Sequence, residues 1–175
     1  MTEHSINFKE AEFVINSIPS DAEVFVDYGC HMGHLSFQIA LLRKIKVIAV
    51  DNFIGSPEMI KKYSPGFRDT FDSNMATVQD DFVGEVEVVH TDDFWKLDLR
   101  GKIDMAFIDS AHDYQSMHEF ADMGRFIKPG GILSGHDYDF RYVKEPVKKL
   151  AELDEWDDSR LRLPGQGSVF FLTKK

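Results

Sequence analysis

Residues 23–37 read EVFVDYGCHMGHLSF: an apolar run ends in the acid Asp27, and Gly29 and Gly33 follow with His31 and His34 beside them. A short Val/Phe run bounded by glycine reads as a buried strand, and Leu35, Ile39 and Leu42 then recur at i, i+4 and i+7 as a helix does. Strand, glycine turn and helix in that order open a parallel α/β sheet, whose ligands bind beyond the carboxyl ends of the strands. Gly29 and Gly33 let a ligand approach the backbone there. The spacing is Asp-x-Gly-x-x-x-Gly and not the Gly-x-Gly-x-x-Gly of dinucleotide sites, and an acid at 27 favours a ligand carrying positive charge over a pyrophosphate.

Outward from this stretch the pattern repeats. Strands are predicted at Val24–Tyr28, Val47–Asp51, Val86–His90, Met105–Asp109 and Ile132–His136, each an apolar run stopping at a polar residue. Helical spacing links Met117, Ala121, Gly124 and Ile127, and again Val143, Val147 and Leu150, with Pro146 near the start of the second. An amphipathic helix over Phe8–Ile18 precedes the first strand and is stopped by Pro19. The stretch LRLPGQGSVFFL, from Leu161 to Leu172, predicts a hairpin at the sheet edge, and the acidic run 153–159 a solvated helix end. Residues 52–67 lack clear periodicity, and a loop of that length in a compact domain is usually functional, so a lid or substrate wall is expected there.

Asp51 closes the second strand, where a carboxylate accepts hydrogen bonds from both hydroxyls of a ribose. With Asp27 it specifies a nucleoside with a cationic tail. This pair, together with IDMAFIDSAHDYQSM and FIKPGGILSGHDYDF further on, resembles the class I S-adenosylmethionine-dependent methyltransferases, in particular a small single-domain subgroup. The resemblance covers about residues 20–173. It implies a Rossmann-like three-layer α/β/α sandwich with a seven-stranded, mostly parallel sheet whose last strand is antiparallel. One domain, 1–175, is expected, with 1–20 as an N-terminal arm and helix. It also implies a cofactor-binding set: Asp27, Gly29 and Gly33 at the methionine part, Asp51 on the ribose with Asn52 beside it, Asp92 at the adenine, and Asp109. Thr91 stands where the family usually has glycine before the adenine acid, and Trp95 is the best candidate for an adenine neighbour.

Methyl transfer from a sulfonium is an in-line displacement, so the protein must align an electron-rich acceptor with the methyl carbon. Two devices remain open. Asp109, His136 and Asp137 close neighbouring strands and would hold a divalent metal at points matching those of related metal-dependent O-methyltransferases; His among carboxylates suits Mn, Fe or Zn as readily as Mg. Alternatively His112 or His136 acts as general base without a metal. The expected catalytic residues are therefore Asp109, His112 and His136, and the expected reaction is O-methylation of a small hydroxylated molecule.

Composition bounds the rest. The chain has 175 residues, a net charge of -10 and one cysteine, Cys30. No internal disulfide can form, so Cys30 is expected to fill space in the turn. The basic residues do not gather into one tract, which argues against nucleic acid as partner, and no run is long and apolar enough for a membrane span. The start carries no secretory or transit pattern, giving a cytoplasmic expectation, and a homodimer is the expected assembly. Two rivals differ in class: a nicotinamide-dependent oxidoreductase, disfavoured by Asp27, and a non-catalytic module that binds S-adenosylmethionine, disfavoured by the cluster of Asp109, His112, His136 and Asp137.

Overall fold

The computed structural model describes residues 6–55, 66–110, 114–161 and 167–175. Its seven strands belong to one mixed, mostly parallel sheet. The chain divides into two compact units, Glu23–Asp98 and Met1–Ala22 with Leu99–Lys175.

In the Glu23–Asp98 unit, β1 (Val24–Tyr28), β2 (Lys46–Asp51) and β3 (Glu85–His90) run parallel in the order β3-β2-β1. Tyr28 pairs with Val50 and Asp51 with His90, so the carboxyl ends of all three strands finish on one edge. Of the helices, α2 spans His34–Leu42, α3 Phe67–Val78 and α4 the single turn Thr91–Phe94; residues 79–81 form a 3-10 turn. Cys30, Phe37, Ala49 and Phe71 pack as a buried cluster, with Phe53, Met75 and Val88 against it. The sequence reading carried no helix over 67–78, because only Phe67 and Phe71 of that helix are buried and its apolar period is weak.

In the second unit, α1 (Phe8–Ser17) is followed by β4 (Ile103–Ile108), α5 (Tyr114–Phe126), β5 (Ile127–Gly135), α6 (Arg141–Ala151), β6 (Trp156–Asp157) and β7 (Phe170–Lys174). The strand order is β4-β5-β7-β6; β4 and β5 are parallel, and β7 is antiparallel to both its neighbours. All of β4 is buried, and Phe120, Leu133, Val147, Phe170 and Phe171 are buried in the same unit. Two expectations are corrected. β5 starts at Ile127, because a register shift between Ile103 and Met105 absorbs the Pro-Gly-Gly segment that the sequence places before the strand. The partner of β7 on its outer side is Trp156–Asp157, inside the run read as a solvated helix end: Trp156 is 2% exposed, its ring lies under Lys174 Nζ at 5.7 Å, and Gly124 leaves room for it. The expected hairpin turn falls partly on 162–166, outside the described residues.

Candidate active site

The opening turn is built around Asp51. Its Oδ2 accepts the backbone N–H of His31 at 2.8 Å and its Oδ1 that of Phe53 at 2.7 Å, so one carboxylate ties the turn after β1 to the turn after β2. The N–H groups of Gly29 and Cys30 both reach Val50 O, at 2.8 and 3.1 Å. His31 and Phe53 have φ of 51° and 56°, a left-handed conformation that is strained for non-glycine residues and that clusters at ligand sites. The His31 ring lies tilted against Phe67 with centroids 4.8 Å apart, and its Nε2 is buried with no hydrogen-bond partner among the described residues. Burial pushes the His31 pKa below its ordinary value, Asp51 opposing and His34 adding to the effect.

Asp27 is 2% exposed and accepts the Ser36 hydroxyl at 2.6 Å. Gly33, at φ 85°, is required by packing as well: a Cβ there would run into the rings of Phe37 and Phe71. The Cys30 thiol is raised well above its ordinary pKa by burial, then by Asp27 and Asp51, so it stays protonated in its apolar cluster, as a space-filling residue should. Asn52 is exposed and accepts the N–H of Ile54 at 2.9 Å. Asp92 lies exposed in the first turn of α4, beside Trp95, whose ring is 5.5 Å from Tyr28 and 5.0 Å from Phe94.

The other unit carries a second cluster. Asp109 follows β4 and His136 and Asp137 follow β5, the His136 N–H reaching Ile108 O at 3.0 Å. Asp137 is, with His31 and Phe53, one of three non-glycine residues at positive φ (56°) among those described. All three lie in turns that hold a predicted site residue. His136 Nδ1 stands 3.3 Å from Asp137 Oδ1 and 3.9 Å from Asp109 Oδ1, and its Nε2 3.2 Å from Glu10 Oε2. One ligand atom from each of Asp109, His136 and Asp137 lies within 4.8 Å of the others. Burial alone would lower the His136 pKa, but the Asp137 hydrogen bond and the charges of Asp109, Asp137 and Glu10 outweigh it and push it up to about 9. His136 Nδ1 is buried, has no hydrogen bond of good geometry, and faces carboxylate oxygens, which is the donor set a divalent cation would use.

Of the predicted residues, Asp27, Gly29, Gly33, Asp51, Asn52 and Asp92 are thus gathered at one edge of the Glu23–Asp98 unit, and Asp109, His136 and Asp137 at one point of the other. His112 and residues 56–65 of the expected lid lie outside the described residues. The sequence reading missed Glu10, Ser36 and the tie from Asp51 to two backbone N–H groups. A signal for Glu10 was present: an acid adjoining the apolar stripe of Ala11, Val14 and Ile15, three residues after the cap Asn7.

Comparison with solved structures places the fold. The O-methyltransferase of Bacillus cereus, solved with S-adenosylhomocysteine, has a TM-score of 0.72 and 14% identity, over 99% of this chain and 84% of that one. TomG of Streptomyces achromogenes, an O-methyltransferase of tomaymycin synthesis solved with S-adenosylmethionine, has a TM-score of 0.69 and 14% identity over 99% and 81%. The S-adenosylhomocysteine-bound methyltransferase PaMTH1 of Podospora anserina has a TM-score of 0.68 and 15% identity over 99% and 81%. No curated protein matches the sequence. The model of the methyltransferase domain family matches residues 26–138, more than half of the chain and all of the strand-end turns just described up to Tyr138, and the chain belongs to that family.

Proposed function

We propose that this methyltransferase takes its methyl group from S-adenosylmethionine and delivers it to a hydroxyl oxygen of a small molecule, using a divalent cation bound by Asp109, His136 and Asp137. The observation that carries the reading is the buried cluster of those three residues, with Nδ1 turned toward two carboxylates. Support for the cofactor comes from the two neighbours above that bear S-adenosylhomocysteine and the one that bears S-adenosylmethionine.

In this reading Asp51 keeps a free lone pair on each oxygen beyond the two backbone N–H groups and accepts the ribose hydroxyls. The unpartnered Nε2 of His31 supplies a neutral polar atom to the cofactor at the same turn. In the reaction the methyl carbon–sulfur bond breaks as the carbon–oxygen bond forms, sulfur leaves with the electron pair, and the hydroxyl gives up its proton. A cation bound at the cluster supplies Lewis acidity that makes a hydroxyl easier to deprotonate. His112 is the sequence's candidate to take that proton.

Calorimetric titration with S-adenosylhomocysteine, beside NADH, and with Mn²⁺ after EDTA treatment, tests each part. Binding of S-adenosylhomocysteine alone, with Mn²⁺ binding that is lost in Asp137→Asn, is the expected result. NADH binding, or no S-adenosylhomocysteine binding, removes the cofactor; Mn²⁺ binding that survives Asp137→Asn removes the metal assignment.

A further inference from the structure

Glu10 is 6% exposed, on the packed side of α1. Its Oε2 accepts the Asn7 backbone N–H at 3.1 Å and Asn7 Nδ2 at 2.6 Å, and faces His136 Nε2 at 3.2 Å. Its Oε1 accepts the Ser168 N–H at 3.0 Å. Gly167, at φ 66°, makes that approach feasible: a Cβ there would run into Glu10 Oε1. The carboxylate is therefore fixed from three segments of the chain. A capping box accounts for the Asn7 contacts alone; it does not call for Ser168 or His136.

A carboxylate only accepts, so the ring nitrogen facing Glu10 carries the proton. An imidazole whose Nε2–H is held on one side presents Nδ1 on the other, where it faces Asp137 and Asp109; by the same rule Nδ1 carries a proton in the metal-free protein, which a bound cation would displace. We infer that Glu10 is a positioning residue, which grips Nε2–H of His136 and so aims Nδ1 at the Asp109–Asp137 cluster. The consequence for metal binding rests on the function proposed above; the grip on the ring does not.

Nitrogen-15 NMR of the His136 ring, with Mn²⁺ titration on the same samples, tests this. The wild-type protein should show a hydrogen-bonded, slowly exchanging Nε2–H. Glu10→Leu, which keeps about the volume and removes the acceptor, should lose it and bind Mn²⁺ about 10- to 100-fold more weakly. Gly167→Ala, which changes neither Glu10 nor His136 but pushes the Glu10 carboxylate aside, should act alike and serves if Glu10→Leu does not fold. Asn7→Ala removes the cap and should keep the Nε2–H signal. A signal unchanged in Glu10→Leu, or lost equally in Asn7→Ala, overturns the inference by reducing Glu10 to a helix cap. If the NMR contrast holds while the wild type binds no Mn²⁺, Glu10 stands as the positioning residue and the metal assignment falls.

Discussion

At the scale of the residue, Asp51 does two jobs with one carboxylate. It fixes the backbone of His31 and Phe53, and in the function proposed above its remaining lone pairs accept the ribose hydroxyls. Asp51→Ala should therefore weaken S-adenosylhomocysteine binding at least about tenfold, since hydrogen bonds to a charged group contribute roughly 1.5–3 kcal/mol each; isothermal titration checks it. Asp137→Ala should leave that binding intact and abolish turnover, measured with any acceptor found. His31 gives a pH signature. Its folded pKa lies below the unfolded one, so its neutral form contributes stability that is present above pH 6.5 and is lost as pH falls through the folded value. Thermal melts of the wild type should fall from pH 7 toward 5, and His31→Gln should flatten that fall. Asp27 and Asp51 were legible as candidates because strand ends in parallel sheets mark ligand crevices. Glu10 was legible only as a helix-start acid, because its other partners lie 126 and 158 residues away and no local pattern encodes those contacts.

At the scale of the element, the opening turn is set by packing as much as by any ligand. Gly33→Ala would place a side chain at φ 85° against two phenylalanine rings, costing about 2–4 kcal/mol from backbone strain and overpacking together. Urea unfolding of the variant reads that directly. Most strands that the sequence revealed are buried on both faces, with uninterrupted apolar runs such as Val47–Val50 and Met105–Ile108, while Val86–His90 showed through its valines although only half-buried. Those it hid obey other rules. Trp156–Asp157 is too short to show an alternation, and its place follows from one tryptophan finding a gap over Gly124. The start of β5 was masked by Pro129, Gly130 and Gly131, residues that normally mark a turn and here lie in a strand whose register slips.

For the molecule as a whole, the cation proposed at Asp109, His136 and Asp137 would link binding to stability. Free Mn²⁺ at about 100 times its Kd should add about 2.7 kcal/mol, a rise in Tm of roughly 5–10 °C, and Asp137→Asn should abolish the rise. Among the described residues no helix is long and apolar enough to cross a membrane.

The grip of Glu10 also bears on how the chain is made. Residues 23–98 close their strand-end hydrogen bonds among themselves, so this part can order while synthesis continues. The other part cannot: α1 is made before every strand of the sheet, yet the carboxylate it carries finds its partners only when His136, and then Ser168, have left the ribosome. Until that moment β5 also lacks β7, the strand that lies between it and β6. The growing chain thus carries a buried-to-be acid without its partners from α1 until Ser168 is made, and an unpaired β5 edge from Gly135 until β7 follows, intervals in which nascent chains depend on chaperones.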